Sequence, residues 1–253
     1  MHRIILQISN LIKSFNGIRA VDNISFSIEK ATVTSIIGPN GAGKTTLFNL
    51  INGFINQDSG CVYYKGRKID KLSPENRAKI GIGRLWQDIR LFRNMTVLEN
   101  LLVAKKNNPG EIVRRNFFLP KSIAKFEKHN IELAEEILGF INLKIQQNTL
   151  AQNLSYGQQK LLAIGRLLMN DAELLLLDEP FAGVNPIMID EISELIKKIV
   201  EQGKTILMIE HNVPKALSIS DFVFVMDEGK IALYGLPRVI YDNSQLKDIY
   251  IGV

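Results

Sequence analysis

Eight residues, GPNGAGKT from Gly38 to Thr45, constrain this chain more than any others. They fit the pattern GxxxxGK[ST]. They follow TVTSII (Thr32 to Ile37), a run dense enough in apolar and β-branched side chains for a strand buried on both faces, and they precede the helical TLFNLING. A buried strand, a glycine-rich turn and a helix N-terminus in that order make a phosphate cradle. Gly38, Gly41 and Gly43, with Pro39, Asn40 and Ala42 between them, let the backbone fold close around a β-phosphate with its amides turned inward. Lys44 reaches the β- and γ-phosphates, Thr45 offers its hydroxyl to Mg²⁺, Thr46 completes the phosphate-binding set, and the helix dipole adds its positive end. The segment is expected to bind a nucleotide with Mg²⁺.

The rest of the chain alternates between two rhythms. The first thirty residues alternate loosely, as antiparallel strands do, whereas LLLL (Leu174 to Leu177), TILMI (Thr205 to Ile209) and FVFVM (Phe222 to Met226) are short apolar runs. A helical stretch near Ile187 to Val200 separates the first two, which is a βαβ rhythm and implies a parallel sheet. DEGK (Asp227 to Lys230) turns the chain into IALY, a closing hairpin. Between Gln87 and Leu161 strand signals vanish. There TVLE (Thr96 to Glu99) is a capping box opening a segment through Ala104, Lys121 to Phe140 reads as a helix, and Asn107 to Pro120 as a loop or displaced short helix.

Composition narrows the class further. With 46% hydrophobic and 23% charged residues the 253-residue chain matches a folded soluble protein, not a disordered or fibrous one. The opening MHRIILQISN lacks the apolar core of a signal peptide and no run reaches the ~18 apolar residues of a membrane span, so no crossing is expected. The single cysteine, Cys61, reads as packing in a reducing compartment. Seven basic residues between Lys105 and Lys128 face only Glu111 and Glu127, a surplus equal to the net charge of +5 of the whole chain. That segment suits a solvated helical face, anionic lipid or an acidic partner.

The leucine strand ends in Asp178 and Glu179, which supply what the glycine loop lacks. Asp178 is a carboxylate at the sheet's carboxyl edge, able to hold Mg²⁺, and Glu179 is placed to take a proton from or orient an attacking water. In LSYGQ (Leu154 to Gln158), Ser155 and Gln158 form a capping box for a helix running to Met169, and that helix's first turn is also a ready anion site. Taken together, these stretches resemble ABC transporter ATPases, whose signature motif is usually LSGGQ.

The resemblance covers essentially the whole chain. It implies an α/β fold: a P-loop ABC ATPase core with an N-terminal antiparallel β subdomain and an inserted helical subdomain. The expected division is 1–87 and 161–240 as nucleotide-binding core, 88–160 as helical subdomain and 241–253 as tail. Phe15, in SFNG, matches the aromatic that stacks on adenine. Gln87, in GRLWQ, matches the glutamine that links Mg²⁺ and water to the membrane partner, and His211 matches the switch histidine at the γ-phosphate. The implied catalytic set is Glu179, His211, Lys44 and Gln87, and the implied metal set Thr45, Gln87 and Asp178. Ser155, Gly157 and Gln158 are implied to close over the ATP of a second ATPase subunit, identical or paralogous.

Gly81 to Ala104, the tyrosine of LSYGQ, AGVNP (Ala182 to Pro186) and LKDIYIG (Leu246 to Gly252) look like the ATPases of branched-chain amino-acid importers. Trp86 stands where that subgroup usually has Phe, Gly165 where Ala is usual, and Asn185 where most ABC ATPases have Asp. The resemblance implies transmembrane permease partners and a peripheral place on the cytoplasmic face of the membrane. It implies no direct solute contact and no nucleic acid. Urea import and lipopolysaccharide export share much of the pattern, and a soluble ATPase clamp on RNA or DNA is the alternative of another class.

Overall fold

The computed structural model describes residues 3–105 and 120–251. Strands β1 (Ile4–Phe15) and β2 (Ile18–Glu29) form a hairpin whose two-residue turn, Asn16-Gly17, has positive φ at both positions, 49° and 85°. That backbone matches the twist of the flanking strands. Then come β3 (Val33–Ile37), α1 (Lys44–Asn52), β4 (Ser59–Tyr64), β5 (Arg67–Lys68), α2 (Pro74–Lys79) and β6 (Ile82–Leu85). Three helices follow, α3 (Val97–Ala104), α4 (Pro120–Phe140) and α5 (Tyr156–Met169). The chain continues through β7 (Leu174–Asp178), α6 (Pro186–Glu201), β8 (Thr205–Ile209), α7 (Val213–Ile219), β9 (Phe222–Asp227), β10 (Lys230–Gly235), α8 (Pro237–Tyr241) and α9 (Ser244–Ile251).

The strands sort into two sheets by the periodicities read in the sequence. The first, in the order β2-β1-β4-β5, is antiparallel and buries alternate residues such as Ile24, Phe26 and Ile28. The second runs β10-β9-β3-β8-β7-β6, with β9, β3, β8, β7 and β6 parallel and β10 closing the edge as the antiparallel arm of a hairpin. Every residue of β3, β7 and β8 is buried, as continuous apolar runs require. One core joins Ile8 and Val62 of the first sheet, Leu47, Phe48 and Ile51 of α1, and Ile36, Leu176 and Leu207 of the second.

The chain divides into two compact units. Met1–Gln87, Glu173–Ala182 and Asp190–Val253 make one, which holds both sheets; Asp88–Ala172 and Gly183–Ile189 make the other. These bounds differ from the expected 88–160 because the apolar face of α5, including Leu161, Leu162, Ile164 and Leu168, packs with α3 and α4. Inside the second unit Asn100 is fully buried at α3. Its amide donates to the carbonyls of Phe92, Met95 and Thr96, and its Oδ1 accepts from the Phe92 N–H. The Thr96–Glu99 capping box forms as read.

The expected loop or short helix at Asn107 to Pro120, apart from Pro120 itself, and residues 106–119 of the basic segment lie outside the described residues. Within α4, Lys128 lies 4.0 Å from Glu132, an exposed pair one turn apart. Cys61 is a half-buried thiol on β4 without a disulfide. Among the described residues, no helix is long and apolar enough to cross a membrane.

A buried arginine anchors the helix that follows the glycine loop. Arg77, in α2, is 1% exposed and donates to the carbonyls of Leu50, Ile51, Leu72 and Asp70 at 2.6, 2.8, 3.1 and 3.3 Å. Two of these belong to the last turn of α1, where helical partners run out and only the Leu50 carbonyl also accepts from the capping Gly53 N–H, at 3.2 Å. Arg77→Ala should destabilise the chain by roughly 2–3 kcal/mol, the desolvation cost of one or two orphaned carbonyls. At ~2–4 °C per kcal/mol for a chain of this size, the thermal midpoint should fall by roughly 5–10 °C, readable by calorimetry. An unchanged midpoint would show that water satisfies those carbonyls equally well.

Candidate active site

The expected site residues of the sheet-bearing unit sit where strands end. Behind β3, the glycine loop passes between two backbone segments with no room for side chains. A methyl group on Gly38 (φ 150°) would lie 2.1 Å from the Met226 carbonyl oxygen, and one on Gly43 (φ 96°) would lie 2.0 Å from that of Ala20. The loop conformation therefore needs glycine for space as well as for φ. Gly43 also opens α1 without a side-chain cap, so no side chain occupies the donors of the helix's first turn. Lys44 is 5% exposed, and its Nζ donates to the Gly38 and Pro39 carbonyls at 2.8 and 2.7 Å. Burial holds its ammonium below the ordinary lysine range, while the negative charges of Glu179 and Asp178 pull it back up.

At the end of β7, Glu179 takes a left-handed conformation (φ 50°) that costs a non-glycine residue ~1–2 kcal/mol. Its N–H donates to the Ile209 carbonyl at 3.0 Å, which keeps it in line with β8. The side chain is then held at both oxygens. Gln87 Nε2 donates to Oε2 at 3.0 Å, and His211 Nε2 lies 2.8 Å from Oε1. Three residues read from separate stretches thus meet at one carboxylate. Asp178, one residue earlier, is buried with its Oδ2 2.7 Å from Arg84 Nη2. Phe15 is at the tip of the first hairpin, 46% exposed, with Lys13 Nζ 5.4 Å from its ring centre. It is a surface aromatic and not a core residue.

Three participants escaped the sequence reading. Arg84, the lone charge in the buried strand IGRL, ties Asp178 to Asn49 of α1, whose Oδ1 accepts from Nη1 at 2.6 Å. A charge inside an apolar strand was the available signal. Glu210 follows β8 and is 3% exposed. Its carboxylate accepts from the Phe181 N–H at 3.0 Å and the His211 N–H at 3.2 Å, and so ties the backbone just after Glu179 to that of His211. Tyr250, in α9, has its phenol pushed up to about 12 by burial, with the Gly38 backbone pulling the other way.

The second unit carries LSYGQ. Ser155 Oγ accepts from the Gln158 N–H at 3.3 Å, and Gln158 Oε1 accepts from the Ser155 N–H at 3.0 Å, so the capping box is complete. Gly157 has a packing reason of its own: a methyl there would lie 2.2 Å from Met188 Cγ. Asn185 caps α6, with its Oδ1 accepting from the Met188 N–H at 2.9 Å. The Tyr156 ring lies 3.0 Å from where a Cβ on Gly183 would stand, which joins the signature turn to the AGVNP loop. Gly165 accommodates Ile141, whose Cδ1 would be 2.7 Å from an added methyl.

A carboxylate poised between an amide and an imidazole, next to a buried lysine and a glycine cradle, can orient water against a phosphoryl group. Thr45 and Asp178 add the hard oxygen donors that Mg²⁺ prefers.

The chain is similar to known proteins over its whole length. Residues 21–182 match the family model for ABC transporters. The high-affinity branched-chain amino acid transport ATP-binding protein BraF of Pseudomonas aeruginosa is 38% identical over 253 residues, all of this chain and 99% of its own. The ADP conformation of MJ1267, an ATP-binding cassette of an ABC transporter, aligns over all of both chains with a TM-score of 0.87 at 37% identity. The ATP-binding cassette MJ0796, in a dimeric post-hydrolysis state bound to ADP and Pi, aligns with a TM-score of 0.75 at 26% identity over 92% of this chain and 99% of its own. With the family model spanning more than half of the chain and relatives spanning all of it, this protein belongs to the ABC transporter family, as one of its ATP-binding cassettes.

Proposed function

We propose that this cassette hydrolyses ATP with Mg²⁺ to energise import of branched-chain amino acids through separate permease subunits, as a peripheral protein on the cytoplasmic face of the membrane. The observation that carries the ATPase reading is Glu179 gripped by Gln87 and His211 beside Lys44. Full-length similarity to BraF supports the solute.

Each residue then has a task. Amides of Gly38 to Thr46 bind the β- and γ-phosphates, and Lys44 moves its ammonium from the Gly38 and Pro39 carbonyls to those phosphates. Phe15 stacks on adenine. Thr45, Asp178 and Gln87 would hold Mg²⁺, which would neutralise charge on the phosphate oxygens. Glu179 accepts the proton of the attacking water, while His211 and Lys44 stabilise charge developing on the γ-phosphoryl oxygens. Ser155, Gly157 and Gln158 present their helix N-terminus to ATP bound by a second cassette, identical or paralogous, in a two-fold pair. The dimeric state of MJ0796 supports this pairing. Gln87 and the helical unit face the permease, so the solute never touches this chain, and no nucleic acid takes part.

Glu179→Gln should lower turnover by ~10²- to 10⁴-fold, the usual worth of a positioned base, with ATP affinity retained. Because one negative charge is gone, ATP should trap it as a dimer in size-exclusion chromatography. Ser155→Arg should leave ATP binding intact while turnover collapses, since the cation meets only the neighbour's γ-phosphate. Equal loss of both would return Ser155 to a purely local cap. In cells, Lys44→Ala should abolish high-affinity uptake of leucine, isoleucine or valine, as should deletion of the gene. Normal uptake of all three in the deletion strain would sink the solute assignment and leave the ATPase assignment standing.

A further inference from the structure

Arg84 is the most heavily engaged side chain next to the site, and no catalytic step above uses it. Its side chain is 2% exposed. One edge of the guanidinium donates to Asp178 Oδ2 at 2.7 Å, and the same planar group donates to Asn49 Oδ1 at 2.6 Å. Its face lies 3.9 Å from the centre of the Trp86 ring, with Phe48 at 5.6 Å. Trp86 in turn meets Phe54 edge-on, ring centres 4.6 Å apart, and directly precedes Gln87.

These contacts exploit what a guanidinium has and an ammonium lacks: a rigid fork for two acceptors and a flat face for an aromatic ring. Asn49 lies four residues beyond Thr45 on the same helix. Arg84 therefore touches the helix of the phosphate cradle, the carboxylate of the metal set and the aromatic that leads into the Gln87 segment. Displacing that segment shifts the Trp86 ring, and the ring is the surface on which the guanidinium rests.

We infer that Arg84 is a positioning residue that orients Asp178 for Mg²⁺ and, through its stack on Trp86, couples the metal carboxylate to the Gln87 segment. The inference rests on the ATPase reading and adds to it a route between the metal and the segment assigned to the permease. Outer-shell partners of metal ligands are worth on the order of 10- to 100-fold in metal affinity, which sets the expected effect.

The chain has one tryptophan, so its fluorescence reports Trp86 alone. Full-length protein loaded with a non-hydrolysable ATP analogue is titrated with Mg²⁺ while tryptophan emission and, by calorimetry, metal binding are followed. A saturable emission change that tracks binding, and is absent in Asp178→Asn, is expected. Metal binding with unchanged emission overturns the coupling.

The positioning role is read with Mn²⁺ by electron paramagnetic resonance. Arg84→Lys should weaken Mn²⁺ by ~10- to 100-fold in the analogue-loaded protein, leave analogue affinity in EDTA unchanged, and add no loss in the Asp178→Asn background. Wild-type Mn²⁺ affinity in a folded Arg84→Lys protein overturns it. If that variant does not fold, Trp86→Leu, which keeps the guanidinium but removes its aromatic face, carries the same expectation of weakened Mn²⁺ and the same refutation. Failure of the wild-type chain to bind the analogue in EDTA would instead overturn the ATPase reading itself.

Discussion

A parallel strand buried on both faces presents polar groups to a ligand chiefly at its ends, and here the carboxyl ends hold most of the candidate site. Gly38 follows β3, Gln87 follows β6, Asp178 and Glu179 close β7, and Glu210 and His211 follow β8. In the sheet β6, β7 and β8 are neighbours, ~4.8 Å apart, with β3 next to β8. That order sets Gln87, Glu179 and His211 side by side with no further device, and brings the charge of Lys44 within reach of both carboxylates. Exchange any two of these strands and the site is gone, whatever its residues.

Around that edge the backbone is pressed into conformations that neighbouring segments enforce. Gly38 and Gly43 are hemmed in by the carbonyls of Met226 and Ala20, so the cradle's shape depends on β9 and β2 as much as on the loop itself. Glu179 is held left-handed by its hydrogen bond to the β8 end and by two side-chain partners. Such conformations persist only where the surroundings over-determine them. Buried charge follows the same logic: Arg77 is accepted because four carbonyls receive it, and Arg84 because Asp178, Asn49 and an aromatic face do.

In the helical unit, one short motif serves two ends. Ser155 and Gln158 satisfy each other's backbone at the start of α5, which fixes where the helix begins. Gly157 then receives Met188 of α6, and Tyr156 receives the AGVNP loop at Gly183. A helix start so constrained holds its amide donors in a fixed direction, which is the property that a contact to another subunit's phosphate demands.

Whatever depends on neighbours within a few residues was legible in the sequence. The two capping boxes, the hairpin turn at DEGK, the strand-loop-helix around GPNGAGKT and the continuous apolar strands are set by chemistry at short separation, and the fold class follows from their order. The family resemblance added residues such as Gln87 and His211 that local chemistry alone leaves anonymous. What only the tertiary structure decided are the partners at long separation. Arg84 meets Asp178 across 94 residues and Gln87 meets Glu179 across 92. The helix α5 belongs as a whole with α3 and α4, although the expected division assigned its residues from 161 onward to the core. Sequence periodicity says which face of an element is apolar; which element covers it depends on crossovers and strand order, and those place the buried charges.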